Sequence, residues 1–435
     1  MPRKTKIIFI TVFILVGLLI LGFYLYNKNQ NTNNTTTTNT GFFQKFNRFS
    51  TSTKINTGTT DTNDQNTNTP DNGEISNTIS KFSKLTDYAI SGYTFFEEKK
   101  ILPADETTTT PDSTETTPVK TKVTTAKKAI EPKFEMIPSV KYVEKSTGHV
   151  YQMNLSTKEA GKISNSTIPG VYETIFNNKA DSIIYRYVSS GESTITSFLA
   201  TLGGKSNFLN SNILEVSLSP DKSKFFSLIK INNGVVGNIN SFEDIKAKQV
   251  FTSAFSEWLP QWVTEQSVYL TTKPSYLVEG SVFSLNVVNG TLTKILGGVS
   301  GLTTLANKDG SFILFGASLD VGPRLNIFDI KNHQSLDLGV YGLPEKCVWS
   351  NDNINIYCAI PNTITGIQYP DSWYQGVTSF EDYFVKINTK TKDMITIANS
   401  KNETVVDGTN LSLNNKEDKL FFVNKKDYTL WSLDL

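Results

Sequence analysis

Six short phrases in this chain repeat one pattern at nearly constant spacing, and that spacing constrains the fold more than any other feature. Each has an apolar or aromatic anchor, a polar turn and then a second apolar run. They read TIFNNKADSIIYRYV (174–188), VSLSPDKSKFFSLI (216–229), PQWVTEQSVYLTT (260–272), TTLANKDGSFILFGA (303–317), CVWSNDNINIYCAI (347–360) and LSLNNKEDKLFFV (411–423). The anchors Phe176, Leu218, Trp262, Leu305, Trp349 and Leu413 are separated by 42, 44, 43, 44 and 64 residues. A period of about 40–45 residues is that of a four-stranded propeller blade. From about residue 136 onward the apolar residues alternate in short runs, and no stretch sustains a helical period, so the class is all-β. The turns use Asn, Asp, Lys, Gly and Pro, which suit tight reversals. A third strand follows in each unit, such as HVYQMNL (149–155) or TLWSLDL (429–435), and a short fourth closes it, such as GKIS or MITI. One four-stranded sheet alone would leave an apolar face in water, whereas sheets packed radially cover each other.

The chain ends at Leu435 on a third strand, so the last unit lacks its fourth. KISNSTIPG (162–170) leads from a fourth strand into the next first strand, and KLTDYAISG (84–92) is nearly the same phrase. Phe82–Thr86 is therefore expected to be the outer strand of the C-terminal blade, and AISGYTFF (89–96) the first strand of blade 1. The expectation is a seven-bladed β-propeller over 81–435, closed by residues far apart in sequence and interrupted by a disordered insert at about 98–135. Rings of six or eight blades are the alternatives; in the six-bladed case 82–96 is only a linker.

Residues 7–26, IIFITVFILVGLLILGFYLY, carry no charge. About 20 apolar residues at 1.5 Å rise cross a ~30 Å hydrocarbon core. Arg3, Lys4 and Lys6 precede the run and Lys28 follows it, a bias that keeps residues 1–6 in the cytoplasm and exports the rest. The run is long for a cleaved leader, and FYLYNKNQ offers no small-x-small cleavage site, so an uncleaved signal anchor is expected. The location is then the cytoplasmic membrane, single-pass, with the propeller outside. Residues 27–80 are dominated by Asn, Thr, Asp and Ser, too polar to offset ordering entropy, and read as a disordered tether spanning roughly 40 Å on average. Within it, GFFQKFNRF (41–49) is an aromatic patch. DTNDQN (61–66) lacks the Gly and distal Glu of a calcium loop.

Net charge is +1 with only four Arg, which gives no electrostatic footprint for nucleic acid. The histidines are His149 and His333, both beside turn residues, and no G-x-S-x-G elbow occurs. Glu381 and Asp382 could serve as an acid–base pair, with nothing specific behind that reading. No cofactor is implied, and two cysteines cannot complete a zinc site. With Asp352 and Asn353 in the turn, Cys347 falls opposite Cys358 and Trp349 opposite Ile356. Both cysteines then share a face, a disulfide candidate for an exported chain, with two buried free thiols as the alternative. The extra length before Leu413 lies between the second and third strands of blade 6, as PNTITGIQYPDSWYQGVTSFED (361–382). Long loops on rigid scaffolds tend to carry binding residues. Tyr369, Asp371, Trp373 and Tyr374 are the candidate binding residues, with Trp373 and Tyr374 as an exposed platform. In the other reading these aromatics fold inward and plug the ring.

The turn SLSPDKSKFFSL resembles the TolB-type, WD40-like "SPDG" propeller repeat, with Lys222 where Gly is usual. KYVEKSTGHVYQMNL, KISNSTIP, EKCVWSNDNINIYCAIP and YPDSWYQGVTSFED resemble bacterial signal-anchored propeller proteins over most of 82–435. The resemblance implies a fold and a location and carries no site residues. The expected role is a protein- or glycan-binding scaffold at the cell envelope. Its partner would be an envelope protein or glycan, its membrane contact through 7–26, and it would bind no nucleic acid. The competing expectation is an envelope polysaccharide hydrolase or lyase.

Overall fold

The computed structural model describes residues 81–101, 134–189, 195–244, 246–400 and 404–435, all within one unit, Asn77–Leu435. The apolar run 7–26, the tether 27–80 with its segments 41–49 and 61–66, and most of the insert lie outside the described residues. No helix among the described residues is long and apolar enough to cross a membrane.

The described strands form seven antiparallel four-stranded sheets. The first strands of blades 1 to 7 are Ile90–Ile101, Val171–Phe176, Ile213–Leu218, Trp258–Thr264, Thr303–Ala306, Cys347–Trp349 and Gly408–Leu413. Blade 7 runs Gly408–Leu413, Lys419–Asn424, Thr429–Asp434 and then Phe82–Lys84, whose partners are Phe82↔Leu433, Ser83↔Ser432 and Lys84↔Trp431. Beyond that strand the amides of Leu85 and Thr86 both donate to the Leu430 carbonyl (2.8 and 3.3 Å). The ring is therefore seven-bladed, and the N-terminal strand completes its last sheet.

The turn between first and second strands explains the repeat. Its opening residue caps the backbone across the reversal. Asn177 Oδ1 accepts the amides of Asp181 and Ser182 (3.1 Å each), and Asn414 Oδ1 those of Asp418 and Lys419 (3.1 and 3.0 Å). Asn307 Oδ1 accepts the Phe312 amide (2.9 Å), while the Ser219 and Ser350 hydroxyls accept those of Lys224 and Asn355 (2.9 Å each). Three residues after each opener the backbone turns left-handed, at Ala180 (φ 54°), Lys222 (55°), Gly310 (73°), Asn353 (58°) and Glu417 (55°). Glycine adopts that region most readily, so Lys222 occupies a glycine-like site held by its capping serine. Blade 4 departs from the pattern, since Thr264 pairs with Ser267 across a two-residue turn.

Apolar clusters fill every junction. Leu314, Leu325 and Ile327 of blade 5 pack on Trp349, Ile356 and Val385 of blade 6. Tyr357 and Phe384 of blade 6 pack on Phe82, Phe422 and Leu433 of blade 7. Phe421, Val423 and Leu430 of blade 7 meet Ile90, Val140 and Tyr142 of blade 1, which closes the circle. Cys347 and Cys358, opposite one another on the first two strands of blade 6, are disulfide-bonded within the blade 5–6 cluster.

The insert in blade 1 is shorter than its sequence boundaries of 98 and 135. The ladder continues to Ile101↔Phe134, through the charged stretch Glu97–Lys100. A hairpin projecting from the ring has both faces in water, so the consecutive charged residues Glu97–Lys100 sit there without a desolvation cost, and the Lys99 ammonium sits 3.7 Å from the centre of the Phe134 ring.

Candidate functional site

Antiparallel pairing sorts the connections between two faces of the ring. Those joining second to third strands, and those joining blades, share one face, called upper here. Residues 362–381 of blade 6 are the longest described connection on that face. The path leaves Pro361, passes a cis Tyr369–Pro370 peptide and makes one helical turn, Asp371–Tyr374. It is tied to three other blades. The Tyr276 amide of blade 4 donates to Asp371 Oδ2 (2.8 Å). The Ser318 hydroxyl of blade 5 donates to the Tyr369 carbonyl. Lys425 Nζ of blade 7 donates to the Trp373 carbonyl (2.7 Å).

Beneath the loop lies a buried charge cluster. Lys346 immediately precedes the first strand of blade 6, Asp407 immediately precedes that of blade 7, and Asp382 opens the third strand of blade 6. All three side chains are 0% exposed. Lys346 Nζ donates to Asp382 Oδ2 (2.8 Å), to Asp407 Oδ1 and to the Gly408 carbonyl (2.9 Å). Those three bonds use all its N–H groups. Asp407 also accepts the Trp373 indole N–H (3.1 Å to Oδ2), the Ser379 hydroxyl (3.2 Å) and the Phe380 amide (3.0 Å). Asp382 is less well served. Its Oδ2 also takes the Gly408 amide (2.6 Å), while its buried Oδ1 has no partner. Burial pushes its pKa to about 6; the Lys346 charge opposes that rise and the Asp407 charge adds to it. A lysine whose protons are all committed is not a nucleophile, and a carboxylate surrounded by donors is a poor base. The cluster acts as a clasp that holds the loop to blades 6 and 7.

The candidate binding residues divide accordingly. Tyr369 is fully buried, stacks on Phe380 at 5.6 Å and donates its hydroxyl to the Thr365 carbonyl (2.6 Å). Trp373 is only 3% exposed, so the expected open Trp/Tyr platform is corrected: the indole turns inward because Asp407 captures its N–H. Tyr374 remains 39% exposed and donates to half-buried Glu345, whose carboxyl burial pushes above its usual range. Asp371 anchors the loop to blade 4. Asp382 is locked in the clasp and gives no acid–base pair with Glu381. The large apolar side chains that the loop shows to solvent are Ile367 (54% exposed), Tyr374 and Val377 (77%). Sequence reasoning missed Lys346 and Asp407; their one signal is the shared place, the residue before a first strand, in consecutive blades. No group of His, Cys, Asp or Glu among the described residues is arranged to hold a metal.

No protein-family model matches the sequence, and no curated protein matches it. Among solved structures the chain is similar to TolB from Acinetobacter baumannii, with 12% identity and a TM-score of 0.41 over 59% of this chain and 61% of that one, less than two thirds of its length. It is also similar to an oligogalacturonate lyase in complex with manganese, with 11% identity and a TM-score of 0.49 over 68% of this chain and 85% of that one. A third is the β-propeller domain of the Trilobed protease from Pyrococcus furiosus, with 11% identity and a TM-score of 0.47 over 68% and 90%. The propeller assignment rests on the seven sheets themselves.

Proposed function

We propose that this chain is a membrane-anchored, extracytoplasmic β-propeller that binds a protein or glycan at the cell envelope through the upper face of its ring. The observation that carries this reading is the clasped loop. Four anchoring aromatic and apolar side chains, Leu343, Tyr369, Trp373 and Phe380, are buried beneath it, so Ile367, Tyr374 and Val377 stand on a fixed frame. A preorganised surface loses little conformational entropy on binding. The uncharged run 7–26 with its basic flank supports the anchor, and the Cys347–Cys358 bond suits an oxidising compartment. A hydrolase or lyase would need free carboxylates converging at one mouth, and the clasp has already committed Asp382 and Asp407.

The test is capture from envelope extract by the full-length protein and by its Ile367→Asp/Val377→Asp variant. Partners retained by the former and lost by the latter support the surface. Equal capture by both overturns it. Cell fractionation with external protease tests the location, and a protease-resistant propeller in intact cells overturns that part.

A further inference from the structure

Across the ring from the clasped loop, the upper mouth of the central channel is open between blades 1, 2 and 7. A cavity of about 340 Å³ sits there, lined among others by Ser91, Lys145, Tyr172, Glu173, Asn410 and Tyr428. It shares Ser91, Glu173 and Asn410 with a second cavity of about 410 Å³ further along the first strands. Volumes of this order suit a small molecule.

The charges in this mouth do not cancel. Glu173 is taken by Arg186, which lies 2.5 Å away, is 2% exposed and also donates to the Leu214 carbonyl (2.6 Å). Lys145 has no such partner. Its ammonium stands 4.1 Å from the centre of the Tyr428 ring, and no carboxylate or carbonyl among the described residues accepts from it. Burial holds its pKa below the usual lysine range, against the pull of Glu173. Behind Arg186, burial pushes Glu215 to about 7, so this second carboxylate is only partly charged near neutrality. The result is a half-buried cation in need of an acceptor. Tyr428 stands beside it; Tyr172, with Arg186 5.6 Å from its ring centre, lines the same cavity, both rings being about half exposed, and the exposed side-chain amide of Asn410 opens into it.

We propose that this cavity is a binding site for a small organic carboxylate with a single ring-sized body. Lys145 pairs with the carboxylate, the faces of Tyr172 and Tyr428 cover the ring, and the Asn410 amide takes one further polar group. An ion pair in a half-buried site is screened less than one in open solvent, and a tyrosine face packs on aromatic rings and on the C–H face of sugars alike. The site is separate from the loop of blade 6, so its failure would leave the proposed docking surface standing.

The experiment is calorimetric titration of the full-length protein in detergent with glucuronate and with benzoate, each beside its neutral counterpart, glucose or benzamide. At least one acid is expected to bind at least 10-fold more tightly than its neutral partner, and which acid binds tells whether the body is a sugar or an aromatic ring. Lys145→Met should weaken that acid at least 10-fold, and Lys145→Arg should restore most of the loss. Asn410→Asp, at a left-handed position (φ 51°) that Asp tolerates, places a competing carboxylate in the cavity that Lys145 lines and should weaken binding even if Lys145→Met folds poorly. Failure of both acids to bind, binding of acid and neutral probe alike, or affinity unchanged in Lys145→Met or Asn410→Asp overturns the proposal.

Discussion

Lys346→Met tests the clasp most directly. The methionine keeps the bulk of the lysine stem and removes its charge. Two carboxylates are then left fully buried without their counterion. Asp407 keeps three donors from Trp373, Ser379 and Phe380, whereas Asp382 keeps only the Gly408 amide. Removing one partner of a buried ion pair costs about 3–5 kcal/mol. That range applies here because all three lysine N–H bonds are lost and both carboxylates are fully buried. The loss should depend on pH. Asp382 has its folded pKa near 6, above its ordinary 3.8, so the folded state holds that proton more tightly than the unfolded chain. Its contribution to stability is therefore greatest below about pH 4 and declines as pH rises toward 6. Without Lys346 the carboxyl has still more reason to be protonated, and the penalty of the variant shrinks between pH 8 and pH 5. Urea unfolding followed by tryptophan fluorescence reads this, since Trp373 lies 5.4 Å from the Lys346 ammonium. Lys346→Met/Asp382→Asn/Asp407→Asn should recover part of the loss, having no buried charge left to strand. A Lys346→Met protein within about 1 kcal/mol of the parent at pH 7.5, or a penalty that stays constant down to pH 5, refutes the argument.

Phe82→Ala should cost about 3–5 kcal/mol, because the ring is buried against Phe384 and Phe422 at 5.5 and 6.3 Å. Hydrogen exchange should show the loss in Thr429–Asp434 first, and unchanged protection there would contradict the closure. Reducing the Cys347–Cys358 bond, or replacing both cysteines with Ser, should lower stability by about 2–3 kcal/mol, seen as a urea midpoint that shifts with reductant. Gly92→Ala should destabilise by about 1–3 kcal/mol, since a Cβ there would collide with the Thr174 backbone carbonyl where the first strands of blades 1 and 2 approach. Gly161→Ala, with nothing within 4 Å of its Cβ, should be near neutral; thermal melts of the two variants read the difference.

Most of the ring was legible because a blade is a local object. The anchor, the capped turn and the second strand lie within about fifteen residues, and Asn177, Ser219, Asn307, Ser350 and Asn414 advertise the same reversal in different letters. The closing strand was legible through its echo, KLTDYAISG against KISNSTIPG. The clasp was not, because Lys346 reaches Asp382 and Asp407 across 36 and 61 residues, and no spacing rule marks such a pair. Trp373 read as exposed for a related reason: its long loop lies outside the repeat, and only Asp407, brought from the next blade, turns the indole inward. The extended hairpin of blade 1 was lost because Glu97–Lys100 has the composition of a loop. The channel mouth draws Lys145, Tyr172 and Tyr428 from three blades, so it exists only once the circle has formed.

The final sheet sets an order on the making of this protein. Phe82–Lys84 leaves the ribosome about 350 residues before its partner Thr429–Asp434. At about 5–20 residues per second the wait is roughly 20–70 s. For that interval blades 1 to 6 can form in sequence, while an unpaired strand and the bare ring of Phe82 remain available to wrong neighbours. A chain halted before Thr429 would have almost every blade and no latch.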